Sequence, residues 1–274
     1  MNAPILSLND IGYRYEDTGF ALEGVSLDLY RGERVAVLGG NGAGKSTFFL
    51  LCGGVLTPDR GELILGGVPV SPGKKGDLLR LRQGVGIVFQ DPNQQILGPT
   101  VECEISFGPM NLRLPRPEVK ARTQRAMEDM ELTRYSQTPP HYLSGGEKKR
   151  LTIADILAMR SDIMLLDEPT ACLDCAGGTR LEELLDQLTS QGKTLVISTH
   201  DIDFAWRWAD RVLLFSRGRL IADRAPLALF SDTALLEQEG LRRPYLYEMS
   251  RYLHEKMIWP ESRWARVTED MTFI

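Results

Sequence analysis

The segment Gly39-Gly40-Asn41-Gly42-Ala43-Gly44-Lys45-Ser46 satisfies the pattern G-x-x-x-x-G-K-[ST] and directly follows the apolar run Val35 to Leu38. Glycines at this density let consecutive backbone N–H groups curl around an anion, and the helix expected next offers its positive N-terminal end to the same anion. The chemistry is polyphosphate binding: Lys45 can reach β- and γ-phosphates, and the Ser46 hydroxyl can ligate Mg²⁺. A second piece, Ile163-Met164-Leu165-Leu166-Asp167-Glu168, is an apolar strand ending in two carboxylates. Beside a phosphate loop the first acid, Asp167, can hold Mg²⁺ through water, and the second, Glu168, can orient an attacking water. In the third piece, Leu143-Ser144-Gly145-Gly146-Glu147, a serine and two glycines precede a helix start. Taken alone it reads as a capped helix; in company with the others it is a second candidate anion grip.

These groups need a scaffold, and the chain of 274 residues is long enough to bury one. With 43% hydrophobic and 25% charged residues, 26 Gly and 15 Pro, it lies in the globular range and away from disorder, collagen and coiled coil. Short runs rich in Val, Ile and Leu recur at Val35 to Leu38, Val85 to Phe89, Ile163 to Leu166, Leu195 to Ser198 and Val212 to Phe215. Bounded by Gly, Asp or Pro, such runs read as buried strands. They alternate with helical segments expected at Pro117 to Leu132, Glu147 to Met159 and Thr179 to Leu188, which predicts an α/β fold with a largely parallel sheet. Between Gln90 and Asp162 the strand signal disappears, as expected of a helical insertion. All four tryptophans lie between 206 and 264, and Tyr245, Met249, Tyr252 and Leu253 share an amphipathic helical spacing.

The net charge of −5 is opposite to the footprint of a general nucleic-acid binder. Cys52, Cys103, Cys172 and Cys175 are too few and scattered for a disulfide framework, which fits a reducing, cytosolic compartment. Cys172-x-x-Cys175 lacks the second Cys or His pair that a tetrahedral zinc site requires. The N-terminus carries no signal-peptide pattern, and no apolar run approaches the roughly 18 to 20 residues that cross a bilayer.

Taken in order, the phosphate loop, Gln90 at a strand end, LSGGE at 143–147, LLDEP at 165–169, ACLD at 171–174 and STHD at 198–201 resemble ATP-binding-cassette ATPases over roughly residues 5–225. The resemblance implies the P-loop fold of that family: a mostly parallel core sheet, an N-terminal antiparallel β part and a helical subdomain inserted at about 91–160. A C-terminal extension would occupy 226–274. It implies ATP and Mg²⁺ as ligands, with Tyr15 stacking on adenine (Tyr13 being the competitor) and Gly39, Gly40, Asn41, Gly42, Ala43, Gly44, Lys45, Ser46 and Thr47 binding the nucleotide. Ser46, Gln90 and Asp167 would serve the metal, while Glu168, His200 and Gln90 would serve hydrolysis. Ser144, Gly145 and Gly146 would bind the γ-phosphate held by a second ATPase subunit, and Asp174 would lie at that shared interface. Two departures stand out: Glu147 where Gln is commoner, and Asp155 where Arg is often found.

The wording at Gln90 to Gln95, Phe107-Gly108-Pro109, Asn111 to Pro115 and Thr199 to Asp203 is similar to the ATPase subunits of energy-coupling-factor importers, especially the cobalt and nickel type. Such a subunit would pair with a second copy and sit on the cytoplasmic face of the membrane. There it would dock through Asp91 to Gly98 on a transmembrane scaffold protein that works with a membrane substrate-binding protein. In that family the extension after 240 helps pair the ATPases; the alternative is a helix packed on its own domain. Other readings are a vitamin or small-solute importer and a soluble cassette ATPase acting on nucleic acid or ribosomes, the latter weakened by the acidic charge.

Overall fold

The computed structural model describes residues 3–16, 19–71, 73–171, 173 and 175–271. Strands β1 (Leu6–Tyr15) and β2 (Gly19–Leu29) pair antiparallel; β3 (Arg34–Leu38) runs through the glycine loop into α1 (Lys45–Cys52). Strands β4 (Arg60–Leu65) and β5 (Val68–Val70) return to the antiparallel sheet, and α2 (Lys75–Gly84) leads to β6 (Val85–Val88). Helices α3 (Val101–Asn111), α4 (Arg116–Asp129) and α5 (Gly145–Met159) follow before β7 (Ile163–Asp167). Then come α6 (Cys175–Ser190), β8 (Thr194–Ser198), α7 (Ile202–Trp208), β9 (Arg211–Ser216) and β10 (Arg219–Arg224). The chain continues through α8 (Pro226–Phe230), α9 (Thr233–Gln238) and α10 (Tyr245–Glu255).

The strands form a four-stranded antiparallel sheet, β2-β1-β4-β5, and a six-stranded sheet, β10-β9-β3-β8-β7-β6. In the larger sheet only β10 runs antiparallel, to β9. Each expected strand run is present because the sheet is buried on both faces, a setting that favours continuous apolar runs. Val35 and Val37 join a core with Phe48, Phe49 and the antiparallel sheet. Ala36 and Leu38 point the other way, into a core shared with α3 to α7.

The helices differ from the sequence expectation mainly at their ends. α4 stops at Asp129 rather than Leu132, because Met130 caps it and Glu131 takes a left-handed φ of 55°. Ala126, Met127 and Met130 are buried against the larger core. The apolar face read for α10 divides: Tyr247, Ser250 and Leu253 are buried, whereas Tyr245, Met249 and Tyr252 remain exposed. The inward side meets Trp206 of α7, which is buried among Phe230, Tyr247 and Trp264 and donates its indole N–H to Ala265 O at 2.7 Å.

The unusual Asp155 lies on α5 with both carboxylate oxygens enclosed and without a hydrogen bond among the described residues. Burial, helped by the charge of Glu104, pushes its pKa well up. Glu104 itself is occupied: its Oε2 accepts the N–H groups of Leu97, at 2.8 Å, and Gly98. A carboxyl that binds its proton more tightly when folded loses stability as pH rises from its unfolded pKa, about 3.9, toward its folded one. Asp155→Asn is therefore expected to match the wild type in stability near pH 4 and to exceed it increasingly at higher pH. Urea unfolding at pH 4.5 and pH 8 measures this, and a gap that fails to widen at pH 8 would contradict an orphaned carboxyl at this position.

Candidate functional site

β3 ends at Leu38 and the chain turns at once through the glycine loop. Gly39 and Gly44 have φ of 147° and 105°, and a Cβ on Gly44 would lie 2.7 Å from Ala21 O, so neither position accommodates a larger residue without strain. Asn41 to Thr47 line a cavity of about 420 Å³ at the start of α1. Lys45 Nζ donates to the carbonyls of Gly39 (2.7 Å) and Gly40 (3.2 Å), which folds the loop around the ammonium at the cavity floor. Burial lowers its pKa, against the pull of Glu168 and Asp167.

Tyr15, at the end of β1, forms part of the cavity wall, and its hydroxyl lies 3.4 Å from Thr47 Oγ1. Tyr13 instead packs against the smaller core and meets Tyr15 edge to face, with centroids 4.9 Å apart. The competition between the two tyrosines thus has a geometric side: Tyr15 alone of the pair lines the cavity.

On the opposite wall stand Gln90, Asp167, Glu168 and His200. Ser46 Oγ donates to Asp167 Oδ2 at 2.8 Å, so a hydroxyl and a carboxylate converge beside Gln90. These are hard oxygen donors of the kind Mg²⁺ takes, and Ser46 and Asp167 would hold it. Such an ion would neutralise charge at the phosphates. β7 pairs with β8 in parallel, with Asp167 opposite Ser198, and this register carries Glu168 and His200 to the same end of the sheet. Glu168 has φ 43°, a left-handed backbone that costs a non-glycine residue roughly 1–2 kcal/mol. His200 Nε2 is 3.1 Å from Glu168 Oε1, an enclosed oxygen that takes no hydrogen bond among the described residues. Burial raises the Glu168 pKa, while His200 and Lys45 oppose the shift.

A second hollow of about 350 Å³ shares Ser46, Gln90 and Asp167 with the first and extends beneath Phe89, Asp91 and Gln94. The exposed Gln90 is tied to α5 through its backbone: Lys149 Nζ donates to Phe89 O (2.9 Å) and Gln90 O (3.0 Å). Farther along, Asn93, Ile96, Leu97 and Gly98 line a depression of about 200 Å³ with Pro140, His141 and Lys148. Leu97 there is 78% exposed.

Ser144, Gly145 and Gly146 do not line the main cavity. Ser144 caps α5 in a reciprocal box: its Oγ accepts the Glu147 N–H at 3.3 Å, and Glu147 Oε2 accepts the Ser144 N–H at 2.8 Å and its hydroxyl at 2.9 Å. Glu147 also accepts the Tyr135 hydroxyl, the first cause holding its pKa below the usual carboxylate range. The structure shows the capped-helix reading of Ser-Gly-Gly-Glu, with Gly145 exposed and Gly146 half-buried at the helix start. Asp174 and Cys172 lie outside the described residues, as does the side chain of Cys175. Among the described residues no cluster of His, Cys, Asp and Glu suits a metal by itself, and no helix is long and apolar enough to cross a membrane.

Sequence reasoning missed two residues that shape the site. Lys149 lies just beyond the LSGGE segment and receives no role from its neighbours in sequence, and Ser198 is seen there only as a strand end that begins STHD. Ser198 is fully buried and bonds to both Asp167 and Glu168. The one usable signal was its place at a strand end, which gains meaning when β7 and β8 are known to be neighbours.

The ABC transporter family matches residues 22–171. The chain is 45% identical over 240 residues, covering 88% of itself and 77% of the relative, to the energy-coupling factor transporter ATP-binding protein EcfA of Methanothermobacter thermautotrophicus. It is 44% identical over 253 residues, 92% of its length, to EcfA2 of Methanospirillum hungatei, but spans only 63% of that relative. Among solved structures it resembles CbiO1 of Clostridium perfringens, part of the ABC transporter complex CbiONQ, with 35% identity, a TM-score of 0.75 and coverage of 93% of this chain and 99% of that one. It also resembles a dimeric ATP-binding cassette in a post-hydrolysis state bound to ADP and Pi, with 29% identity, a TM-score of 0.71 and coverage of 81% and 98%. With a phosphate loop, a metal-suited Ser46–Asp167 pair and a glutamate–histidine pair around one cavity, and with these relatives, the chain belongs to the ABC transporter family as an ATP-hydrolysing ATPase.

Proposed function

We propose that this chain is the ATP-hydrolysing subunit of an energy-coupling-factor importer for cobalt or nickel ions, acting as a pair at the cytoplasmic face of the membrane. The observation that carries the pairing is the separation within one chain: Tyr15, Asn41 to Thr47, Gln90, Asp167, Glu168 and His200 line one cavity, with Gly39 and Gly40 joined to it through Lys45, whereas Ser144, Gly145 and Gly146 stand outside it at the start of α5. A head-to-tail partner would bring its own copy of these residues to the γ-phosphate, and Asp174 would lie between the subunits. Hydrolysis by a lone chain would then lack part of the charge stabilisation and positioning it requires.

Within one site, Tyr15 stacks on adenine, the loop from Gly39 to Thr47 wraps the phosphates, and Lys45 neutralises β- and γ-phosphate oxygens. Glu168, raised in pKa by burial, positions the attacking water, and His200 and Gln90 contact the γ-phosphate side. Gln90 is tied by Lys149 to the helix that starts at Ser144. Closure of the pair would thereby move the segment Asp91 to Gly98, where a transmembrane scaffold protein docks, with a membrane substrate-binding protein as a further chain. The exposed side of α10, carrying Tyr245, Met249 and Tyr252, supports a role for the extension in pairing. The choice of cobalt or nickel rests on the sequence wording, and a vitamin or other small-solute importer is the second reading, since the energy-coupling-factor names of the relatives specify no solute.

Two variants test the ATPase part. Glu168→Gln is expected to bind ATP with wild-type affinity, lose at least about 100-fold in turnover and accumulate a dimer in ATP, seen by light scattering. Ser144→Arg should leave nucleotide binding to the monomer intact and abolish that dimer. Unchanged hydrolysis in the first, or an ATP dimer in the second, would refute the assigned roles.

The transported solute is tested by uptake of radioactive Co²⁺, Ni²⁺ and vitamins into vesicles carrying the complete membrane complex. ATP-dependent metal accumulation is expected, and accumulation of a vitamin alone would replace the metal reading.

A further inference from the structure

Ser198 has one hydroxyl, no exposure to solvent, and two partners on the neighbouring strand. Its Oγ donates to Asp167 Oδ1 and accepts the Glu168 N–H at 3.0 Å. The other oxygen of Asp167 accepts from Ser46 at 2.8 Å. The two ends of the Asp167 carboxylate are therefore held from opposite sides, by the phosphate loop and by β8. The Glu168 N–H also approaches Ser198 O at 3.2 Å, so the same serine grips it through backbone and side chain.

We infer that Ser198 is a positioning residue for hydrolysis: its hydroxyl fixes the rotation of the Asp167 carboxylate and the left-handed turn that aims Glu168 at the cavity. A hydroxyl suits this post because it donates in one direction and accepts in another, which alanine cannot do and a carbonyl cannot do alone. The backbone at Glu168, with φ 43°, is a conformation that persists only where surrounding contacts hold it. Ser198 supplies such a contact from the last residue of β8, two residues before His200, so the metal-suited acid, the water-positioning acid and the histidine opposite it are set by one hinge point. Nothing in this role touches the nucleotide, because Ser198 is absent from the cavity wall while Lys45, Tyr15 and the loop form it.

The inference rests on the assignment of Glu168 as the water-positioning residue. Its test uses the full chain, with Ser198→Ala, Ser198→Thr and Glu168→Gln assayed in parallel for steady-state ATP hydrolysis and for binding of fluorescent ATP with and without magnesium. Ser198→Ala is expected to lower kcat about 10- to 100-fold, as loss of a hydrogen bond to a charged group would. KM for ATP, nucleotide binding without magnesium and the urea midpoint should stay close to wild type, and Ser198→Thr, which keeps the hydroxyl, should recover most of kcat. If Ser198→Ala turns over within about twofold of wild type while Glu168→Gln is inactive, the inference fails and the Glu168 assignment stands. If Glu168→Gln turns over normally, the assignment itself fails. Parallel loss of magnesium-free binding and of the unfolding midpoint in Ser198→Ala would show a purely structural serine and overturn the positioning role.

Discussion

The parallel register of β3, β8 and β7 is the constraint on which the rest of the molecule depends. Val37 lies opposite Ser198, and Ser198 opposite Asp167, so three strands from distant parts of the chain end at one edge of the sheet. Apolar side chains on both faces pin that register. A slip of one residue in β3 would send Val35 and Val37 into the core that now takes Ala36 and Leu38. With no polar face to tolerate such a slip, the phosphate loop, the two acids and His200 are brought together by packing in which the acids and the histidine take no part and to which the loop adds Ala43.

What stands at that edge opposes stability. Glu168 sits in a left-handed backbone with an enclosed carboxylate oxygen, and Lys45 is pressed into a site that disfavours its charge. Buried ionic groups of this kind are retained where their electrostatics act on a ligand, and the cost falls on the apolar cores to either side. Asp155 presents the same cost without the same return: it is absent from the cavity lining, and its carboxylate takes no hydrogen bond among the described residues. The burden of the catalytic edge and the burden of Asp155 are physically alike and differ only in what faces them.

Local chemistry was legible in the sequence, and relations between strands were not. A G-x-x-x-x-G-K-S loop after an apolar run states its own geometry within a dozen residues, whereas Asp-Glu at a strand end takes its meaning from the company of that loop. Lys149 could not be read this way, because its value lies in two carbonyls about 60 residues earlier that the helical insertion folds back over. Ser198 needed the order β3-β8-β7, which follows from crossover connections rather than from any pattern around STHD. The amphipathic count in α10 marked a helix and left open what its stripe faces: Leu253 is buried with Tyr247 and Ser250 against the cassette, whereas Tyr245, Met249 and Tyr252 face out. Periodicity finds a stripe; only the neighbouring Trp206 decides which stripe is covered.

Ser144 shows how one residue can carry a structural and a chemical reading together. Its single hydroxyl proton points to Glu147, as does its N–H, and that carboxylate is held by Tyr135 from the other side. A phosphate from a paired subunit would ask for the same donors that Glu147 now satisfies. One proton cannot serve two acceptors, so in the pair proposed above the hydroxyl must turn from the capping box toward the phosphate. The glutamine commoner at this position could return a hydrogen bond from its amide; the carboxylate here cannot, and its negative charge would oppose a phosphate brought to that end of the helix. The departure at Glu147 therefore bears on how readily the signature end of α5 gives up its cap, even though Glu147 itself contacts no part of the cavity.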